Sequence, residues 1–330
     1  MGNIGDIINP VISVENFKGL KFRILLIDGY DFLYTALVRI RVPELMTFDN
    51  SGNPTHHLLY LMEYSTNLLE KKIKPIYIFD TMEFDSEQFL ETKNKKKDLI
   101  LTYMKVKNHF DDEEIPEDEI SVNDMYKLLI EDISHFIKII GSRVIIAPDD
   151  LLPQAAKLIF DKTAYGLISD SYNCFLFKVP FLYRNLEFEN ETIQRITLQD
   201  VLEYNNIDFD QFLDICLLTG NEYYSNIHKK GYGAKTSLES IKDYGSIEKM
   251  IENNVINCQD TDISAVRNRF LNPIFSEIEL EKPKLEVQKL KNYLYRKGFS
   301  SEEFDEEVAR LYRAFRNYDL KQGKIEQFFS

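Results

Sequence analysis

The chain is expected to adopt an α/β fold, a doubly wound and mainly parallel sheet whose later part turns all-helical. Two observations carry that expectation. Four short, polar-bounded apolar runs, rich in β-branched and aromatic residues, occur at FRILLI (22–27), PIYIF (75–79), RVIIA (143–147) and AYGLI (164–168); continuous runs of this length are what buried parallel strands require. Patterns with helical spacing lie between them, which is the alternation of a sheet with crossover helices.

The clearest helix spans 122–140. Val122, Met125, Tyr126, Leu129, Ile133, Phe136 and Ile140 fall on one face, as a helix packed on a sheet demands. Ser121, followed by Asp124 three residues on, is suited to cap its start, and Gly141 to stop its end. Residues 81–120 interrupt the alternation: they are polar, charged at both ends, and long for a connection inside a domain. From Leu198 to Phe315 the pattern is helical throughout, and the last fifteen residues are polar and expected to be loose until bound. These signals predict one domain over 1–315 with an insertion at 81–120, and a flexible tail over 316–330.

With 330 residues, 44% of them hydrophobic, a substantial core can be buried. Cys174, Cys216 and Cys258 share no short spacing with one another or with histidines, which argues against a disulfide framework and a zinc knuckle and for a reducing, intracellular compartment. The sequence shows no apolar run near the roughly 20 residues of a membrane span, and its opening MGNIGDIINP has no secretory pattern. The net charge of −14 argues against a general nucleic-acid binder. It is unevenly spread, though: KNKKK occupies 93–97, Lys229, Lys230 and Lys235 stand among glycines, and much of the negative excess is the block DDEEIPEDE at 111–119.

Three proposed strands are followed by acids: Asp28 after the first, Asp80 after the second, and Asp150 shortly after the third. In open parallel sheets ligands bind beyond the carboxyl ends of the strands. Carboxylates meeting there make a hard, oxygen-rich site suited to Mg²⁺ or Mn²⁺. Acids after strands also cap the next helix, a simpler account of any one of them.

The segments MGNIGDII, LLIDGYDFLY, KPIYIFD, IAPDDLLPQAA, ISDSYNCFLF and LTGNEYY, in this order and spacing, resemble the flap endonuclease family of structure-specific 5′ nucleases over nearly the whole chain. The resemblance implies a nuclease core of the PIN-like type with a helical arch at 81–120 and a helix–hairpin–helix region at about 218–255. It also implies seven carboxylates holding two metals, one activating a water and the other stabilising the leaving oxygen. Position by position, Asp28 and Asp80 are retained. Asp150 stands for a Glu and Glu222 for an Asp. Leu152 replaces a Glu, and Ser171 and Asn173 replace two acids.

Two dications about 4 Å apart repel strongly and need excess negative charge around them. The four remaining acids leave a first site of Asp28, Asp80 and Asp150 for Mg²⁺, with Mn²⁺ as substitute. The second site retains only Glu222 beside the neutral Ser171 and Asn173. Asp170 is a carboxylate one position early, which on an extended segment faces the wrong way. The family's FDG reads FDT here, and the nearest cations for its phosphate contacts are Lys93 and Lys95 to Lys97, Lys93 and Lys96 being the candidates.

The run GYGAKTSLESIKDYGSIEKMI (231–251) resembles the family's helix–hairpin–helix, implying that Gly231 and Gly233 bring backbone N–H groups close to a DNA phosphate and that Lys235 neutralises it. The preceding YYSNIHKK departs from the family's glycine-rich pattern, so a potassium site there is not implied. The ending KQGKIEQFFS resembles a sliding-clamp (PCNA-type) binding box, with Gln322, Ile325, Phe328 and Phe329 on one face of a short turn. The expected protein is a monomer, cytoplasmic in a prokaryote or nuclear in a eukaryote, that binds flap or branched DNA and the clamp with cleavage weak or lost. An active Mg²⁺-dependent 5′ flap endonuclease and a non-catalytic scaffold are the competing expectations.

Overall fold

The computed structural model describes residues 4–39, 47–80, 90–107, 122–221, 223, 232–257, 262–279 and 282–329, with side chains for all of these except 38–39, 90–96, 122–123, 303 and 319–329. Its contacts divide the chain into two interlaced units, one of Met1–Asn16, Ser86–Thr92 and Leu152–Phe275, the other of Phe17–Asp85, Lys93–Leu151 and Ser276–Ser330. Each unit is assembled from three separated stretches of the chain, which a reading of the sequence as a single domain did not anticipate.

In the second unit the first three apolar runs become strands β2 (Ile24–Asp28), β3 (Lys74–Phe79) and β4 (Arg143–Ile146). They pair in that order, all parallel, with Asp28 opposite Ile78 and Phe79 opposite Ile146. All six residues of β3 are buried, as the central strand of a covered parallel sheet must be. The accompanying helices are α2 (Gly29–Arg39), α3 (His56–Glu70), α4 (Leu90–Lys107) and α5 (Val122–Ile139), then α12 (Val287–Arg296) and α13 (Ser301–Phe329). The α5 face read from the sequence is the buried one, including Tyr126, Leu129, Ile133 and Phe136. Its end is fixed by Gly141 at φ +78, where Ser142 N–H donates to Ile137 O at 3.0 Å, a turn that releases the chain directly into β4.

In the first unit the fourth run is the short β5 (Gly166–Ile168). It lies parallel to β6 (Phe181–Glu187), which forms an antiparallel hairpin with β7 (Thr192–Thr197), and β7 pairs antiparallel with β1 (Ser13–Asn16). The sequence reading missed these last three strands. Helices α1 (Gly5–Ile8), α6 (Leu151–Phe160), α7 (Leu198–Asn205), α8 (Phe209–Thr219), α9 (Ala234–Tyr244), α10 (Ile247–Glu252) and α11 (Ile263–Leu271) complete it. The helical character expected from Leu198 onward therefore holds.

The tail differs from its expectation. Rather than a loose segment with one short turn, the backbone of α13 continues as helix to Phe329. Leu311, Ala314 and Tyr318 are buried at helical spacing, and beyond them Gln322, Lys324 and Glu326 are good helix formers with no proline to stop propagation. The side chains of Gln322, Ile325, Phe328 and Phe329 lie outside the described residues, as do residues 108–121 with their acidic block and the Ser121 cap. Among the described residues no helix is long and apolar enough to cross a membrane.

Candidate functional site

The second unit brings its three sequence-predicted acids to one edge of the β2–β3–β4 sheet. Asp28 is the last residue of β2 and Asp80 follows β3. Asp150 directly precedes α6, and all three are buried, 5–6% exposed. The capping reading holds for Asp28. Asp28 Oδ1 accepts from the N–H groups of Tyr30 (3.1 Å) and Asp31 (3.2 Å), so it caps α2. Asp80 reaches across 71 positions instead: its Oδ1 accepts from Leu151 N–H at 2.8 Å. That bond ties the residue after β3 to the one after Asp150.

Tyr126 on α5, which the sequence reading placed only in the core, belongs to these surroundings. Its phenol is pushed well above the ordinary range by burial, and then by the charges of Asp80 and Asp28. It stays neutral next to the two acids. Tyr30 is likewise pushed up, by burial and then by Asp98, Asp31, Tyr34 and Asp28. Its ring stacks on that of Tyr34 at 6.1 Å. No sequence pattern distinguishes either tyrosine from an ordinary core residue.

Three buried carboxylates at one sheet edge have the donor chemistry of a hard divalent ion. Among the described residues, however, no three His, Cys, Asp or Glu side chains stand close enough to form a ligand set as they are. The first metal position thus fits by chemistry and by placement at one edge, without a closed set. Ser171 Oγ accepts from Asn173 N–H at 3.3 Å and caps the 3₁₀ turn Tyr172–Phe177, and Leu152 is buried. Asp170 is held by Arg184, whose Nε donates to its Oδ1 at 3.2 Å while the guanidinium lies over the Tyr172 ring at 4.7 Å. Glu222 lies outside the described residues, as do Gly231 and the side chains of Lys93, Lys95 and Lys96.

The helical hairpin of the first unit is built on α8, α9 and α10. Thr219 Oγ1 donates to Ser237 Oγ at 3.1 Å, joining α8 to α9, and Gly245 at φ +91 makes the turn into α10. Gly233 is the exposed N-cap of α9 without a side-chain cap, at an ordinary φ of −80. A Cβ there would meet nothing within 4 Å, so its lack of side chain answers neither strain nor a contact among the described residues. Lys235, on the first turn of α9, is exposed. Below the hairpin, buried Asp214 of α8 accepts from Ile247 N–H (3.0 Å) and from Arg267 Nε (2.7 Å). Arg267 also pairs with Glu248, whose carboxyl it lowers to about 2. One guanidinium thereby joins α8, α10 and α11.

A separate open cleft of about 320 Å³ in the second unit is lined by Asp49, His135, Tyr293, Arg296 and Lys297, none of them a sequence candidate. Lys297 there is paired with Asp132 at 2.7 Å.

Comparison with known proteins agrees with this architecture. The model of the XPG N-terminal domain matches residues 3–99 and that of the XPG I-region residues 141–222, together more than half of the chain. Flap endonuclease 1 of Tetrahymena thermophila is 27% identical, over 96% of this chain and 88% of its own. That of Methanosphaera stadtmanae is 26% identical over 98% of both. Among solved structures, flap endonuclease-1 from Methanococcus jannaschii superposes with a TM-score of 0.66 at 20% identity, covering 96% of this chain and 99% of that one. The catalytic core of Rad2 in complex with DNA substrate gives 0.69 at 18%, covering 94% and 99%. These matches show that the chain belongs to the flap endonuclease family.

Proposed function

We propose that this protein binds branched or flap DNA and a sliding clamp, with 5′ flap cleavage weak or lost. The observation that carries the reading is Ser171: where the family has an acid, this chain has a hydroxyl accepting from the backbone of its own turn. With Asn173 neutral and Asp170 held by Arg184, little negative charge remains to offset a second dication.

Asp28, Asp80 and Asp150 would hold the first ion. A bound Mg²⁺ supplies charge stabilisation to the phosphoryl oxygens. Buried Tyr126, held neutral beside Asp80 and Asp28, adds no charge there. The N-terminus of α9 with Gly233 and Lys235 supports a grip on the phosphate backbone without reading sequence. The Gln322, Ile325, Phe328 and Phe329 pattern supports clamp binding. The buried first-site acids favour a second reading, an active Mg²⁺- or Mn²⁺-dependent 5′ flap endonuclease whose substrate phosphates complete the site.

A labelled 5′ flap substrate, incubated with the protein in Mg²⁺ and in Mn²⁺ beside an Asp28→Ala variant, separates them. Tight junction binding without cleavage is the expected result. Cleavage abolished by Asp28→Ala establishes the second reading instead.

A further inference from the structure

The acids occupy one edge of the β2–β3–β4 sheet; the opposite edge is basic. Residues 17–23 read FKGLKFR and residues 71–74 read KKIK, which gives six cations and no acid, and Arg143 begins β4. The backbone joins these segments. Phe22 N–H donates to Lys72 O at 2.6 Å, and Lys74 N–H to Arg23 O at 3.0 Å. Ile24 pairs with Lys74, and Arg143 pairs with Ile76, so seven cations are gathered at the amino ends of three adjacent strands.

Below them is Tyr318 of α13, buried, with Lys74 Nζ 5.3 Å from its ring centre and the Phe22 ring at 6.1 Å. The Arg143 guanidinium is shifted downward by burial, with the Tyr318 hydroxyl opposing, as happens where desolvation outweighs local anions. The nearest acid in sequence, Glu70, is turned to Arg310 at 2.7 Å. A surface that concentrates cations in a chain of net charge −14 is matched to a polyanion. Duplex DNA, with one charge per roughly 1.7 Å of axis, has the density to engage several of them together.

We propose that this N-terminal edge, with Lys18, Lys21, Arg23, Lys71 and Lys72 at its surface, is a second contact for the phosphate backbone of duplex DNA. The inference rests on the DNA-binding reading above and adds a place to it. A strand of five residues is about 17 Å long, so the contact takes a stretch of duplex away from the acid edge and reads no bases.

The test replaces Lys21, Lys71 and Lys72 together by Gln and measures junction affinity against salt concentration. A second triple variant, Lys162→Gln, Lys282→Gln and Lys289→Gln, controls for overall charge. The exposed and half-exposed positions leave the fold intact, which circular dichroism checks. The expected result is an affinity at least about 10-fold lower and a log–log salt slope shallower by about 2.7, from three lost contacts at roughly 0.9 each, with the control triple close to the unmodified chain. An unchanged affinity and slope, or equal losses in both triples, overturns the proposal. Failure of the unmodified chain to bind any junction removes the DNA-binding reading itself, and the edge contact with it.

Discussion

Gly141 ends α5 and starts the chain toward β4 and Asp150, so its replacement tests the packing of the acid-bearing unit. At φ +78 an alanine incurs the left-handed penalty of about 1–2 kcal/mol. Its Cβ would lie 2.6 Å from the Phe315 ring and 3.1 Å from Leu285 Cβ and N, and overpacking of this kind costs about 1–3 kcal/mol. Gly141→Ala is therefore expected to lose about 2–5 kcal/mol. At a compatible site the same exchange would instead stabilise by about 0.4–1 kcal/mol. The assay is the midpoint of urea unfolding at constant slope. Phe315→Ala separates the ring's part: with the 2.6 Å contact gone, Gly141→Ala should cost less than in the unmodified chain, retaining the backbone share of about 1–2 kcal/mol and what the 3.1 Å contacts with Leu285 add. A loss below about 1 kcal/mol in the otherwise unmodified chain, or any gain, refutes the reasoning.

Further tests address the buried charges and the altered site. His56 and His57 are 2% exposed, without hydrogen-bond partners among the described residues, and burial lowers both, His57 to about 3. The folded form thus binds these protons less readily than the unfolded chain; their stabilisation is complete above about pH 6.5 and is lost as the pH falls toward 3. Between pH 7.5 and 5, His57 alone should account for a loss of about 2 kcal/mol, and His57→Phe should flatten that part of the profile; an identical profile in the variant counts against it. Asp214→Ala leaves Ile247 N–H without its acceptor and Arg267 with one carboxylate. It should cost about 2–4 kcal/mol, whereas Glu248→Gln, at a half-exposed site, should cost no more than about 1 kcal/mol; equal costs in denaturant titrations would contradict this. Ser171→Asp with Asn173→Asp restores two family acids and should raise the stoichiometry of Mn²⁺ in calorimetric titration with flap DNA present; unchanged stoichiometry removes the charge argument.

How much could be read in advance followed from how local each signal is. Strands β2 to β5 were legible because burial on both faces demands an unbroken apolar run, and such a run is visible in one dimension. The hairpin of β6 and β7 carried no such run: in TIQRIT the apolar residues Ile193 and Ile196 stand three apart, which matches neither an unbroken run nor strict alternation. β1, with the sequence SVEN, is polar, and only its pairing with β7 makes it a strand. The tail read as loose because its composition is polar, yet helix propagates from the packed turns before it.

The sequence by itself determined the family and the strands that are unbroken apolar runs, since both are properties of residue identity along the chain. What the acids do was left to the tertiary structure. Only folding made Asp80 accept from Leu151 N–H, drew Tyr126 beside two carboxylates, engaged Asp170 with Arg184, and gathered lysines from 18–21 and 71–74 on one edge. A hydrogen bond or a charge cluster depends on distance in space, and residues 71 positions apart have no distance until the chain between them has folded.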